Sequence, residues 1–263
     1  MNLSKFLMNR IYKWVTIYPW FRKIMIGMYN LSKMPQYHID LAPGQIGAYV
    51  LLVENPDDLP RIAAHLDQAK EVASHREYLS YTGMYKDTPV TVISTGIGGP
   101  SAAIAIEELA VIGAETFIFL GLCETGVEDY IIAIGAVRDE GTGLHYTPLA
   151  FPALADFRVS ASLQQACHDR RVKYAVGVVH SRDAFYRVGY TSGDSQDAGQ
   201  SRAFPGVLAY DVNTAATLIV SSVLSKKAGA FLAKANGDGK IEAAQIEIAL
   251  DALYTLIESD KNQ

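Results

Sequence analysis

Apolar positions in this chain fall in short unbroken runs set between glycine- and proline-marked turns. Residues 49–53 (YVLLV), 89–94 (PVTVIS) and 115–120 (ETFIFL) are such runs. A continuous apolar stretch of that length predicts a strand buried on both faces, as in parallel sheets covered by helices. Segments 71–85, 133–138, 174–181, 207–211 and 228–233 complete the strand pattern. Helical patterns lie between them at 59–67, 101–112, 160–170, 213–226 and 243–259. The turn Asn55-Pro56-Asp57-Asp58 can cap the first helix, and Thr95-Gly96-Ile97-Gly98-Gly99-Pro100-Ser101 feeds the second. Residues 121–126 read as a loop after a strand, and 190–206, rich in Ser, Gly, Asp and Gln, as another. Strands alternate with helices, which predicts an α/β domain with a largely parallel sheet.

The first 36 residues do not share this pattern. Residues 3–30 read as an amphipathic helix broken at Pro19. Lys5, Arg10, Lys13, Arg22, Lys23 and Lys33 stand there with no acidic residue, together with Trp14 and Trp20. The whole chain carries −5, so six positive charges here leave −11 on the rest. Two parts are therefore expected, a basic aromatic helical extension over 1–36 and an acidic domain over 37–263. The extension's longest charge-free runs, 14–21 and 24–32, fall short of the roughly 20 residues that span a bilayer. It also lacks the single apolar core and cleavage site of a signal peptide. Residues 1–33 suit a helix lying on an anionic membrane surface, or one docked across the acidic domain. The other reading is an upstream stretch before a start at Met34. The expected location is the cytoplasm, with peripheral membrane contact if the first of these holds.

Composition narrows the chemistry. Of the residues, 49% are hydrophobic and 19% charged, which excludes a disordered chain. A domain at −11 argues against a nucleic-acid partner. Cys123 and Cys167 make neither a disulfide framework nor a zinc set, and the six histidines show no metal spacing. No metal or cofactor is expected. The Gly96-Ile97-Gly98-Gly99 turn lacks the Lys-Ser/Thr of a phosphate loop and the third glycine of a dinucleotide fingerprint. No Gly-x-Ser-x-Gly nucleophile turn is present. Asp57-Asp58 and Glu107-Glu108 read as solvated faces. Motif chemistry alone leaves the function open.

A set of segments nevertheless resembles the nucleoside phosphorylase family, in its uridine phosphorylase branch. They are Ala73-Ser74-His75-Arg76-Glu77, Ser94-Thr95-Gly96-Ile97-Gly98-Gly99-Pro100-Ser101, Ile106-Glu107-Glu108-Leu109, Leu144-His145-Tyr146-Thr147-Pro148-Leu149, Phe151-Pro152-Ala153-Leu154-Ala155-Asp156-Phe157 and Asp183-Ala184-Phe185-Tyr186. The resemblance runs from about Tyr37 to the last helix and is dense from Ala73 to Tyr186. It implies a three-layer fold, with a central mixed, largely parallel sheet flanked by helices. It also implies cleavage of a nucleoside by phosphate in a pocket with three subsites, and a homodimer or higher homo-oligomer.

Several implied site positions are substituted here. The family's Gly-Asp-Pro-x-Arg phosphate loop is Glu54-Asn55-Pro56-Asp57-Asp58. Its second phosphate arginine falls on Phe119, before Gly121, and its loop threonine on Leu122 or Thr125. Arg76, which the resemblance brings from a neighbouring subunit, is kept, and so is the partner-borne His38. The Glu-Met-Glu of the ribose site is Asp211-Val212-Asn213. Phe185 is kept for stacking, while the two uracil readers fall on Gly189 and Thr191. Losing two arginines and gaining Glu54 and Asp58 predicts a pocket that repels phosphate. The expected outcome is a remodelled acidic pocket without ordinary phosphorolysis, taking a nucleoside-like or cationic small molecule. Its candidate catalytic groups are Glu54, Asp58, Glu124 and Asp211, with Cys123 beside them. Two alternatives stand: a non-catalytic ligand-binding or subunit paralogue, and a genuine nucleoside phosphorylase.

Overall fold

A computed structural model describes residues 34–125, 128–184, 205–235 and 237–262. Residues 1–33 of the extension expected over 1–36, and with them the membrane and docking readings, lie outside the described residues, as do Phe185, Gly189 and Thr191. The element order is β1 (Tyr49–Val53), α1 (Leu59–Ala63), β2 (Asp67–His75), β3 (Tyr78–Tyr85), β4 (Thr88–Ser94), α2 (Gly99–Val111), β5 (Thr116–Thr125), β6 (Tyr130–Asp139), β7 (Ala153–Leu154), α3 (Phe157–Asp169), β8 (Tyr174–Arg182), β9 (Val207–Asp211), α4 (Thr214–Val223), β10 (Lys227–Lys234) and α5 (Ala243–Lys261). Among the described residues, no helix is long and apolar enough to cross a membrane.

One mixed sheet carries the fold, in the order β10-β6-β8-β9-β5-β1-β4-β3-β2. A further β10–β5 pairing closes β5, β9, β8, β6 and β10 into a ring. The apolar runs build its parallel centre: β1 pairs in parallel with both β4 and β5, and β10 with β5. The β2–β3–β4 meander and the β5–β9 and β10–β6 pairs are antiparallel, so the sheet is more mixed than the sequence pattern implies. Alternate residues of β1 feed two layers. Val50 and Leu52 pack with Ile106 and Leu109 of α2 and Leu218 and Ile219 of α4. Leu51 and Val53 pack with Leu59 and Ile62 of α1, Leu163 of α3 and Leu250 and Leu253 of α5. The three-layer α/β fold is thus present, with the sheet between two helical layers.

Two glycines set the entry to α2. Gly96 (φ +71°) and Gly98 (φ +102°) take backbone angles that side chains disfavour, and Pro100 fits the first turn that follows. The expected loop over 121–126 is strand as far as Thr125. Glu124 and Thr125 pair with Tyr210 and Ala209 of β9, and the Thr125 hydroxyl donates to Leu208 O at 2.8 Å.

The acidic pairs read as solvated faces also differ. Asp58 is 2% exposed. Glu108 accepts from the backbone N–H groups of His38 and Ile39, and Glu107 from the Tyr146 hydroxyl at 2.6 Å. Only Asp57 of the four is fully exposed. Long-range partners unreadable from local pattern took up the other three.

Candidate functional site

The site candidates that meet lie at the C-terminal ends of β1, β5, β8 and β9, where ligands collect in open α/β sheets. Glu54 follows β1 directly, and Asn213 stands just before α4, past β9. The fully buried Asn213 carboxamide donates to Glu54 Oε1 at 3.1 Å and to Gly96 O at 3.3 Å. Its Oδ1 is buried and without a partner among the described residues. The first phosphate-loop position and the ribose position of the resemblance are therefore joined by one hydrogen bond.

Burial, and secondarily the nearby Asp211 carboxyl, push Glu54 up to about 8. At neutral pH this group is mostly a carboxylic acid, able to donate as well as accept. The shift predicts a stability profile. Below the ordinary value of 4.5, folded and unfolded chains both hold the proton. Between there and about 8 only the folded chain does, so stability falls as pH rises through that window and levels off above it. Glu54→Gln keeps an acceptor for Asn213 and removes the titration. Melting temperatures measured from pH 5 to 9 are expected to fall less steeply in the variant, and parallel curves would contradict the assignment.

Asp211 lies deeper and acts as a structural cap. Its Oδ1 accepts from the Ser181 hydroxyl at 2.5 Å, and its Oδ2 from the backbone N–H groups of Thr214 at 2.7 Å and Asn213 at 3.2 Å. Burial raises its pKa, while those hydrogen bonds oppose the rise. Ser181 in turn accepts from Ala215 N–H at 2.9 Å. Asp211, a candidate catalytic group from the sequence, thus holds the start of α4 and so positions Asn213.

Asp58 points elsewhere. Its buried carboxylate accepts from Ile241 N–H at 3.3 Å and lies 3.9 Å from Arg61, tying α1 to the segment that enters α5. Asp58→Ala removes a buried acceptor. It is expected to cost about 1–3 kcal/mol of stability while leaving substrate turnover intact. A thermal melt with a parallel activity assay checks both, and lost activity with an unchanged melt would return Asp58 to the site.

Cys123 is buried and its thiol is pushed up to about 12, chiefly by burial and further by Asp211 and Glu124. It is a neutral thiol at physiological pH and a poor nucleophile. Glu124 is exposed, and its carboxylate accepts from Arg182 Nη2 at 3.5 Å. Phe119 is 1% exposed within the core, and an added Cβ at Gly121 would come within 2.7 Å of its ring. Val212 is buried beside Asn213. Phe119 and Val212 are therefore core positions, and Thr125, bonded to Leu208, is part of a strand pairing.

His38 and Arg76 stand in a second set of contacts. His38 Nδ1 lies 2.6 Å from Glu108 Oε1, His75 Nδ1 lies 2.8 Å from His38 O, and the exposed Arg76 guanidinium sits 5.7 Å from the Tyr37 ring centroid. A depression of about 470 Å³ opens beside α2, lined by Pro100, Ala103, Ile104, Gly141, Thr142, His145, Tyr146 and Asp183. It shares no residue with the Glu54–Asn213 pair.

The two carboxylates expected to repel phosphate thus do not act together, since Asp58 is turned to Ile241 and Glu54 is largely neutral. Sequence reasoning missed Ser181 and Arg182. The only local signal was a charged residue closing the run VVHSR of β8. Among the described residues, no group of three or more His, Cys, Asp or Glu could hold a metal ion.

Residues 48–254 match the family model described as the phosphorylase superfamily. The chain is 49% identical to a uridine phosphorylase of Thermococcus kodakarensis over 156 residues, covering 57% of this chain and 56% of that protein. It is 34% identical to a uridine phosphorylase of Escherichia coli over 215 residues, 76% of this chain and 85% of that one. The match to the Thermococcus relative thus spans little more than half of that relative's length. A solved uridine phosphorylase of Vibrio fischeri ES114 superposes with a TM-score of 0.76 at 32% identity, covering 86% of this chain and 99% of that one.

Proposed function

Since the chain belongs to the phosphorylase superfamily, we propose that it cleaves the N-glycosidic bond of a pyrimidine nucleoside, uridine first, by phosphorolysis. The observation that carries this reading is the Asn213–Glu54 pair at the strand ends, a buried carboxamide and a neutral carboxyl held together. Such a pair can receive sugar hydroxyls, which need both donors and acceptors. Cleavage builds positive charge on the sugar as the bond to the base lengthens. The anomeric carbon–nitrogen bond breaks, its electron pair leaves with the base, and a phosphate oxygen forms the new bond to the anomeric carbon. A largely protonated Glu54 does not oppose an approaching phosphate as a carboxylate would. Arg76 and His38 complete the site from a second copy, as the resemblance implies, so the active form is at least a dimer.

The assay is wild-type protein with uridine, followed by uracil release with and without phosphate. The reading expects phosphate-dependent release. A second reading, cleavage with water as acceptor, is favoured by one observation: both positions of the resemblance's phosphate arginines are unavailable, with Phe119 in the core and Asp58 bonded to Ile241. Uracil release independent of phosphate, with free ribose as co-product, would select it.

A further inference from the structure

The described part of the chain begins beside α2. His38 and Ile39 each donate a backbone N–H to Glu108 Oε2 at 3.0 Å. Glu107, the neighbouring position, accepts from the Tyr146 hydroxyl at 2.6 Å. Tyr146 is also a wall of the 470 Å³ depression, together with Pro100, Ala103 and Ile104 of α2. Residues three and four apart share a helix face, so Pro100, Ala103, Ile104, Glu107 and Glu108 form one stripe along α2. The depression therefore lies about one helical turn, roughly 5 Å, from the carboxylate that holds His38. Exposed Met34 stands four residues before His38, at most about 14 Å of chain.

The depression's make-up says what fits it. Pro100, Ile104 and the Tyr146 ring are apolar walls, and Leu144, between the lining residues Thr142 and His145, is 55% exposed. α2 carries Glu107 and Glu108 and no basic residue, and Asp183 adds a third carboxylate to the lining. Residues 1–33, which precede the described part, have the opposite character. They hold Lys5, Arg10, Lys13, Arg22, Lys23 and Lys33 with no acid, and the charge-free run 24–32 (IMIGMYNLS) ends next to Lys33. A segment tethered this closely acts at an effective concentration on the order of 1 mM, so a modest contact is enough to keep it in place. We propose that residues 20–33 dock in this depression of the same chain. The run 24–32 covers Pro100, Ile104 and Tyr146, and Arg22, Lys23 and Lys33 face the carboxylates of α2 and Asp183.

The test uses the full chain. Its two tryptophans, Trp14 and Trp20, both lie in residues 1–33, so intrinsic tryptophan emission reports on that segment alone. Four proteins are compared: wild type, Ile104→Lys in the depression wall, Ile26→Asp in the segment, and Leu149→Lys, a like charge change at an exposed position outside the lining. Trypsin cleavage after Arg22 and Lys23, read by mass spectrometry, is expected to be at least about tenfold slower in wild type and Leu149→Lys than in the other two, because cleavage follows the open population. Tryptophan emission should be blue in the first pair and move to the red in the second. If Ile104→Lys lowers the melting temperature, Ile26→Asp decides, since its change lies outside the folded domain. Equal cleavage rates in all four proteins would overturn the proposal. So would red wild-type emission that turns blue only with phosphatidylserine vesicles, which would place the segment on a membrane surface. Protection that fades on dilution would also overturn it, by showing that a second copy holds the segment.

Discussion

A Phe119→Arg substitution is expected to remove most of the domain's stability instead of creating an anion site. Phe119 lies in register between Leu52 of β1 and Ala230 of β10, at 1% exposure, and its ring fills the space over Gly121. Losing the ring's packing costs about 3–5 kcal/mol by analogy with buried Phe truncations. An unpaired guanidinium in its place costs several kcal/mol more. Small domains have only about 5–15 kcal/mol in total. Circular dichroism melts should show a midpoint lowered by more than about 10 °C, or little soluble protein. A variant that melts like wild type and binds phosphate would mean that β5 can turn this position towards the pocket, and the description of the site would fail.

Asn213→Leu should separate folding from turnover more finely. Leucine has nearly the shape of asparagine but makes neither of the two bonds, to Glu54 Oε1 and Gly96 O. Gly96 O keeps the Thr95 hydroxyl at 3.0 Å, so Glu54 Oε1 is the acceptor left without this partner, at a cost of about 1–3 kcal/mol, and the protein should fold with a lower midpoint. Uridine kcat/KM should fall about 100-fold or more, because the hydroxyl-binding pair is broken while Asp211 still caps α4. An unchanged kcat/KM would show that the sugar does not sit on this pair. Asn213→Asp adds a check: a second carboxyl facing Glu54 would raise it further, so the loss of activity as Glu54 ionises should come at a higher pH than in wild type.

Much of this fold is legible in the sequence, and particular residues show why the rest is not. The run 49–53 predicts β1 because a strand buried on both faces needs no alternation, and its neighbours Val50 and Leu51 do feed opposite layers. The Gly98-Gly99-Pro100 turn marks the start of α2 because positive φ and a proline in the first turn are local demands. The end of β5 is not local. Cys123-Glu124-Thr125 reads as loop, and becomes strand only through β9, whose Leu208 lies 83 residues away from Thr125. The same distance problem governs the site. Resemblance locates Glu54, Asp58, Asp211 and Asn213, but not where their side chains point. Asp58 turns to Ile241, 183 residues on, and Glu54 meets Asn213 across 159. Counting charges from the sequence made both carboxylates pocket anions. Burial makes one neutral, and a backbone N–H takes the other.

The central claim is that the Glu54–Asn213 pocket transfers a sugar from base to phosphate. Phosphorus-31 NMR of wild-type protein with uridine and inorganic phosphate tests it directly. The expected result is a growing sugar 1-phosphate ester signal matched by uracil release, absent in Asn213→Leu. Uracil released without any ester, or an ester formed equally well by Asn213→Leu, would contradict it.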